Sequence, residues 1–247
     1  MDKKLLFLLV GSLVYCTLTF NTTPQTISTT IDLSKNNLCS EDICDVEVIL
    51  PKTFNIVYNS FNSYNPYCDT SSAVKFSEVA THFGLDQDEE TFKLVLGQIL
   101  LESGAKQYYQ PNHPKEGQLV VSSADAIGFT QILPSTAYGY MKKKITPEEV
   151  DCFIELGATD FSFAYNDDYS KKEKINMARE WLSNETNNII MWGKIMSSKL
   201  ESKPIMDALI SYNAGSLGLR RFLNLGKKQE EHKYILGIKT RLKYVNT

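Results

Sequence analysis

Apolar side chains recur at helical spacing along much of the chain beyond residue 70. The first such face follows Ser71 and Ser72, which often begin helices, and precedes Gly84, a residue type that commonly ends them. A second helix is predicted over 91–103, because carboxylates cluster at 86–90 and a helix N-terminus attracts negative charge. The first face consists of four residues: Ala73, Phe76, Ala80 and Phe83.

Three further helix faces are predicted in the second half of the chain. Residues 46–50, ahead of Pro51, instead suit a short strand, although no partner strand is evident nearby. The stretch 142–174 is charged and aromatic in patches and is interpreted as an irregular excursion. The predicted fold class is therefore mainly α. The three faces are Ile189, Trp192, Met196 and Leu200; Ile205, Ala208, Leu209 and Tyr212; and Ile235, Ile238, Leu242 and Val245.

The first twenty residues have the pattern of a secretory signal. Lys3 and Lys4 precede the apolar run 5–14, which is too short to span a bilayer comfortably. The sequence therefore predicts export. Cys16 directly follows the run and resembles the lipidated residue of a bacterial lipoprotein, although Tyr15 is bulkier than the residue usually found before it. A lipid anchor at Cys16 is the only membrane attachment that the sequence suggests.

The segment 21–37 is dominated by Thr, Ser and Asn and is interpreted as a linker. The predicted organisation is a signal peptide at 1–20, a linker with a short irregular N-terminal extension at 21–70, and one helical domain at 71–247. The chain of 247 residues is 43% hydrophobic and 22% charged, which allows a substantial core and excludes disorder, collagen or coiled coil as its global description.

The charge bears on the choice of binding partner, and the cysteines bear on the choice between disulfides and a metal site. A net charge of −3 disfavours nucleic acid, but residues 220–247 are strongly basic, so this end either faces an anionic polymer or forms a solvated helix face. Apart from Cys16 there are four cysteines, an even number that favours disulfides in an exported chain over a zinc site. Of three possible pairings, the preferred one is Cys39 with Cys44 and Cys68 with Cys152.

One carboxylate of the second predicted helix is unusual. Glu102 falls on the same face as Val95 and Ile99, which the helix should bury. Burial there, together with the negative end of the helix dipole just before Gly104, would raise the pKa of Glu102. A carboxyl group that stays protonated near neutral pH can act as a general acid.

Three short blocks follow in order: Glu102-Ser103-Gly104, residues 126–137 with Gly128 and Gln131, and Tyr212-Asn213-Ala214-Gly215. Their order and content resemble the soluble lytic transglycosylase family, whose signatures are a Glu-Ser-Gly, a Gly-Leu-Met-Gln-Ile-Met-Pro-like stretch and a Tyr-Asn-Ala-Gly. The resemblance covers roughly residues 73–247. It implies a lysozyme-like, mostly helical domain that cleaves the glycan of peptidoglycan. A weaker match is Tyr244-Val245, near the place of an aromatic residue that contacts the catalytic acid in the family.

The chain also departs from the family pattern. Phe129-Thr130 replaces the commoner Leu-Met, a change of packing residues. Asn188-Ile189 and Gly193 match a family helix block only loosely, one residue out of the usual spacing, so no role is carried onto them. An insertion at about 138–186, which contains Cys152, is expected to shape one lip of the substrate groove.

The resemblance implies a role for each motif residue. Glu102 protonates the glycosidic oxygen and then serves as base. Gly128, which lacks a Cβ, would let a sugar approach the backbone closely, and the amides of Gln131 and Asn213 suit hydrogen bonds to a sugar and to its N-acetyl group. The implied substrate-binding residues are Ser103, Gly128, Gln131, Tyr212, Asn213 and Tyr244.

The same residues have structural interpretations that stay open. Glu102 could sit at a frayed helix end in solvent, Gln131 could cap the helix that follows it, and Asn213 could cap the end of its own helix. Tyr212 lies on an apolar face and packs there at least in part, and Tyr244, near the chain end, could simply pack as well.

The favoured hypothesis is an exported peptidoglycan lytic transglycosylase, located in the periplasm or cell envelope of a bacterium, lipid-anchored or secreted. It would bind glycan strands, with a cell-envelope assembly as a further candidate partner, and would need neither metal nor organic cofactor. A lysozyme-type hydrolase on the same fold would need a second acid, with Asp125 and Asp207 as the nearest candidates. A non-catalytic peptidoglycan-binding protein would be expected to lack the acid, yet Glu102 is present.

Overall fold

A computed structural model describes residues 4–9, 12–18, 27–31, 45–48 and 53–245. The chain divides into two compact units, residues 1–52 and 53–247. The described part of the first unit is a four-stranded antiparallel sheet in the order β1-β2-β3-β4. Its strands are β1 Lys4–Leu9, β2 Ser12–Leu18, β3 Ile27–Ile31 and β4 Asp45–Val48.

The strand predicted over 46–50 corresponds to β4, and its partner is β3. In this pair Ile27 lies opposite Val48, and Thr30 lies opposite Asp45. The partner was missed because β3 falls in the Thr-rich and Ser-rich segment interpreted as a linker, although Thr and Ile favour strands. The predicted signal peptide and the lipidation of Cys16 concern processing, which the backbone of β1 and β2 does not test, and both stay predictions.

The second unit is helical, so the prediction of a mainly α fold is confirmed. No helix among the described residues is long and apolar enough to cross a membrane. Short 3₁₀ turns lie at Ser162–Ala164, Gln229–Glu231 and Leu242–Tyr244. The α-helices are α1 Phe54–Tyr64, α2 Thr70–His82, α3 Glu89–Glu102, α4 Pro134–Lys143, α5 Pro147–Glu155, α6 Lys171–Ser183, α7 Glu185–Leu200, α8 Ile205–Leu223 and α9 Lys233–Arg241.

Helices α1 and α5 lie where the sequence did not predict a helix. α1 makes the helical unit begin at residue 53, ahead of the expected boundary at 71, because Phe54, Val57 and Phe61 are buried at helical spacing. α5 lies inside the stretch 142–174 that was interpreted as irregular. It begins with a capping box, in which the side chains of Thr146 and Glu149 each bond to the backbone of the other.

The two helices predicted first are present as α2 and α3. Asp69 caps α2 and Asp88 caps α3, each accepting a backbone N–H with its side chain, at 3.1 Å from Ser71 and 2.8 Å from Thr91. α3 ends at Glu102, which places this carboxyl at the helix terminus.

α7 forms the centre of the helical unit. All ten residues from Asn187 to Met196 are buried, so the helix is covered on every side rather than on one apolar face. The ring of Trp192 stacks on Phe76 of α2, with centroids 4.7 Å apart. α2 and α7 approach closely at Gly193, where a Cβ would lie 2.5 Å from Phe83 and 2.6 Å from Val79.

The predicted Cys68–Cys152 disulfide is not formed. Both residues are free thiols in the structure. Cys68 donates a weak hydrogen bond from Sγ to the Asp69 carbonyl, and burial beside Glu185 and Asp69 raises its pKa to about 12. Cys39 and Cys44 lie outside the described residues, so their pairing stays a prediction.

The close approach at Gly193 can be tested by adding one methyl group. We expect Gly193→Ala to lower the free energy of unfolding by about 1–3 kcal/mol, because overpacking forces the side chains of Phe83 and Val79 to move. Urea unfolding measures the change. Gly139→Ala in α4 is the matched control, since a Cβ there meets no atom within 4 Å. The control should gain about 0.5–1 kcal/mol from helix propensity, and equal effects in both variants would contradict the packing.

Candidate active site

Glu102 lies at the end of α3 with its side chain partly buried. The Tyr234 hydroxyl of α9 donates a hydrogen bond to Glu102 Oε1. Burial raises the pKa of the Glu102 carboxyl to about 7, while the hydrogen bond from Tyr234 acts in the opposite direction. The raised pKa predicted from the helix face is confirmed, and the alternative of a frayed, solvated acid does not describe this carboxyl.

Two cavities meet at this carboxyl. The first has a volume of about 540 Å³ and the second about 760 Å³. Glu102 and Asn213 line both, so a chain-like ligand running from one cavity into the other would pass Glu102. Other residues of the first cavity are Ser122, Gln131, Thr136, Lys199, Ser211 and Tyr212; the second includes Phe222, Lys227, Glu231, His232, Lys233 and Tyr234.

The basic C-terminal region contributes directly to this site. Lys227 and Lys233 line the second cavity, and both are exposed. The basic residues of 220–247 are therefore not only a solvated helix face. Two of them, Lys227 and Lys233, place positive charge in the same cavity as Glu102, where it would attract an anionic polymer.

Asn188 of α7 holds the loop 127–131, which carries the second motif. Its side chain is fully buried, and Oδ1 accepts hydrogen bonds from Thr130 N at 2.8 Å and Thr130 Oγ1 at 2.7 Å. Nδ2 donates to the carbonyls of Ile127 at 2.9 Å and Leu182 at 3.3 Å. The sequence assigned Asn188 no role because the family spacing did not match. The signal that could have found it is an asparagine beside an otherwise apolar run of a buried helix.

Gly128 has a role different from the expected one. Its φ of +70° favours glycine, and a Cβ at this position would collide with the side chain of Gln107. The Gln107 amide accepts a hydrogen bond from Phe129 N at 2.7 Å and donates to the carbonyl of Ser183 at 2.8 Å. The space beside Gly128 is therefore filled by the Gln107 side chain. The expectation that a sugar would approach the backbone there is corrected.

Gln131 lines the first cavity with Glu102. Its Nε2 donates to the Gly128 carbonyl at 2.8 Å, and its φ of +54° is left-handed, which costs a residue with a Cβ about 1–2 kcal/mol. The alternative of a helix cap is excluded, because the N-cap of α4 is Leu133. A strained residue in a cavity wall is a feature typical of functional sites.

Two hydrogen bonds tie the second motif to the other two. Ser103 Oγ donates to the Phe129 carbonyl at 2.6 Å, and the Tyr212 hydroxyl donates to the Thr130 carbonyl at 2.7 Å. Ser103 is buried and lines neither cavity, which corrects its expected contact with substrate to a structural hydrogen bond. Tyr212 both lines the first cavity and holds the loop.

Asn213 is exposed at the junction of the two cavities. Gly215, with φ of +70° and ψ of 168°, interrupts α8 two residues later, and the helix then resumes to Leu223. Asn213 is therefore not the end cap of its helix, which continues beyond a break at Gly215. The Asn213 amide lies just before this break, at the junction of the two cavities.

Tyr244 lies elsewhere. Its ring packs edge-on against Tyr64, with centroids 5.0 Å apart, and it lines neither cavity. The aromatic residue that contacts Glu102 is Tyr234, which the sequence analysis missed. A tyrosine directly before the predicted face that starts at Ile235 was the available signal, but the spacing of α9 does not show what lies opposite it.

The two proposed second acids are also engaged elsewhere. Asp125 forms an ion pair with Arg179, and Asp207 accepts a hydrogen bond from Gln229 at 3.1 Å. Neither lines the cavities at Glu102. Among the described residues that line them, the other carboxylate is Glu231, in the second cavity. Glu231 was not considered from the sequence because it lies outside the motifs.

The insertion at about 138–186 does not form the expected lip, since none of its residues lines either cavity. It encloses a separate apolar pocket of about 360 Å³ between Ile145 and Tyr165. In the described part of the chain, no group of three or more His, Cys, Asp and Glu residues could hold a metal ion.

Comparison of the chain with protein-family models, with curated proteins and with solved structures gave no match. The likeness to the lytic transglycosylases therefore depends on the three motifs. The three motifs are joined by hydrogen bonds, and residues of each line the cavity that contains the Glu102 carboxyl.

The raised pKa of Glu102 predicts a specific pH dependence of stability. Between its ordinary value of 4.5 and the folded value of about 7, the folded protein holds a proton that the unfolded chain has released, so stability falls as pH rises through this range. Glu102→Gln removes this loss. We expect the variant to unfold like the parent near pH 4 and to be more stable by up to about 3 kcal/mol at pH 8.

Urea unfolding of both proteins at the two pH values measures this difference. Glu116→Gln, a change at an exposed loop position, is the control and should show no comparable pH dependence. A Glu102→Gln effect of the same size at pH 4 and pH 8 would contradict the raised pKa.

Proposed function

We propose that this protein is an exported peptidoglycan lytic transglycosylase that cleaves the β-1,4 bond between N-acetylmuramic acid and N-acetylglucosamine. The observation that carries the proposal is one carboxyl of raised pKa at the junction of two cavities, with the three motifs assembled around it. A glycan strand laid along both cavities would place one glycosidic bond beside Glu102.

Glu102 supplies the first proton. Because burial raises its pKa to about 7, Glu102 can hold a proton near neutral pH, and this acid form donates to the oxygen of the leaving N-acetylglucosamine. The bond between that oxygen and C1 of the muramyl unit then breaks. The substrate's own N-acetyl group, by likeness to the family, stabilises C1.

The neighbours of the acid fit this task. Burial raises the pKa of Tyr212 and of Tyr234 well above the ordinary value of tyrosine, so both hydroxyls stay neutral and keep the protons that they donate to the Thr130 carbonyl and to Glu102. Asn213 presents an amide at the junction, where it suits an N-acetyl group. Because Gln131 Nε2 is bonded to backbone, its Oε1 is the atom left to accept from a sugar hydroxyl.

The second step needs no second carboxylate. The Glu102 carboxylate takes the proton of the muramyl 6-hydroxyl, and O6 attacks C1 to form a 1,6-anhydro ring. Tethered nucleophiles reach effective molarities of about 10⁵ M or more, against roughly 55 M for water, so ring closure is expected to win over hydrolysis.

A lysozyme-type hydrolase is the second candidate, and one observation favours it. Glu231 lines the second cavity together with Glu102, and a carboxylate there could activate water. This function would release reducing muramyl ends in place of anhydro ends.

Digestion of purified sacculi separates the two functions. We expect 1,6-anhydromuramyl ends, which resist borohydride reduction, because the attacking hydroxyl belongs to the substrate. Mass spectrometry of the released ends identifies them. Glu102→Gln should lower the rate by about 10² or more, since no other described group of the motifs can supply the proton.

Three further variants act as controls for this experiment. Asp125→Asn, Asp207→Asn and Glu231→Gln should leave the type of product unchanged. Predominantly reducing ends that depend on Glu231 would instead establish the hydrolase. A Glu102→Gln variant that solubilises sacculi at the parent rate would overturn both functions.

The pH profile gives an independent check on the acid. Because the protonated form of Glu102 is needed first, kcat/KM on soluble glycan should fall as pH rises above about 7. Measuring kcat/KM from pH 5 to pH 9 shows this decrease. A constant rate up to pH 9 would contradict an acid with this pKa.

A further inference from the structure

Gln98 is a polar residue in the middle of the apolar run of α3, and its side chain is fully buried. It precedes Glu102 by four residues, so the two lie on the same face of the helix one turn apart. The proposed mechanism gives Gln98 no role. A buried amide without hydrogen bonds destabilises a protein, so the partners of this one are informative.

Trp192 of α7 fixes the orientation of the Gln98 amide. The indole Nε1 donates to Gln98 Oε1 at 3.3 Å. An indole N–H can only donate, so the atom facing it must be the oxygen, and the NH₂ group points elsewhere. That nitrogen is buried and makes no hydrogen bond of ordinary length and angle within the part of the chain that the structure describes, so a small movement that brings it to an acceptor would stabilise the protein.

Tyr234 offers the matching acceptor. Its hydroxyl gives its single proton to Glu102, so its oxygen can make a further hydrogen bond only as an acceptor. The Gln98 amide acts on this oxygen, lowering the pKa of Tyr234 against the larger effect of burial, as a donor to the oxygen would.

We propose that Gln98 is a positioning residue whose Nε2 donates to the Tyr234 oxygen and so keeps the Tyr234 proton directed at Glu102. The donors then run in one direction, from Trp192 through Gln98 and Tyr234 to the carboxyl. The chain of hydrogen bonds favours the carboxylate form of Glu102, which is the form that must accept the second proton in the proposed mechanism. The catalytic meaning of the inference therefore rests on the proposed function, whereas the effect on Glu102 does not.

Other groups around Glu102 also influence its titration and must be kept constant. Tyr212 of α8 interacts electrostatically with the carboxyl, and Lys199 of α7 lines the first cavity. The charged and titratable residues of the second cavity are Lys227, Glu231, His232 and Lys233. None of these is changed in the variants proposed below.

The test is an NMR titration of the Glu102 carboxyl carbon in the full-length protein, assigned by its loss in Glu102→Gln. We expect Tyr234→Phe and Gln98→Met each to raise the pKa of Glu102, by about 0.5 or more, because each removes the hydrogen bond that favours the carboxylate. In Tyr234→Phe the further change Gln98→Met should have no effect on this pKa, because Gln98 acts through the tyrosine. Gln118→Met, at an exposed position, is the control and should leave the pKa unchanged.

An equal effect of Gln98→Met in the parent and in Tyr234→Phe, or no effect in either, would overturn the inference. Trp192→Phe provides a second route if Gln98→Met does not fold, because it releases the amide without removing it. Its expected result is a smaller rise in the same direction, and an unchanged pKa would count against the inference.

The titration does not depend on enzymatic activity. If Gln98→Met changes the pKa of Glu102 only when Tyr234 is present, but the protein does not cut sacculi, the proposed function alone is refuted. If the protein cuts sacculi but Gln98→Met leaves the pKa of Glu102 unchanged, the role of Gln98 alone is refuted.

Discussion

The four hydrogen bonds of the Asn188 amide are the interaction on which the candidate site depends. Three of them join the central helix α7 to the loop 127–131, and the fourth joins it to Leu182 of α6, inside the core, where water cannot replace a broken bond. In this loop the Thr130 carbonyl accepts a hydrogen bond from the Tyr212 hydroxyl, and the Phe129 carbonyl accepts one from the Ser103 hydroxyl. Loss of the loop geometry would therefore separate the three motifs from one another.

The site concentrates features that are unfavourable for folding. Glu102 is an acid held partly out of water, and Gln131 has a left-handed backbone. The close packing of the helices around Trp192 and Gly193 supplies the rigidity that holds these features in place. Binding and catalysis commonly use such strained or desolvated groups, because the same group placed freely in water has ordinary reactivity.

Contacts in space give several residues a role that their position in the sequence does not indicate. Gly128 leaves space for Gln107 rather than for a ligand, and Ser103 bonds to backbone. By contrast, Lys227 and Lys233 line a cavity beside the acid, although a basic chain end most often faces solvent. These two lysines add positive charge to the second cavity, where the carboxylates of Glu102 and Glu231 also lie, and both lysines are outside every motif.

The sequence by itself determined what depends on neighbours along the chain. Helical spacing predicted α2 and α3 and a mainly α fold, and it placed Glu102 on the buried face, because burial of a helix face follows from its period. Only the tertiary structure decided which residues oppose that face: Tyr234 rather than Tyr244 at the acid, and Asn188 behind the loop. The physical reason is that periodicity shows which side chains point inward, whereas contacts between distant segments depend on how whole helices pack.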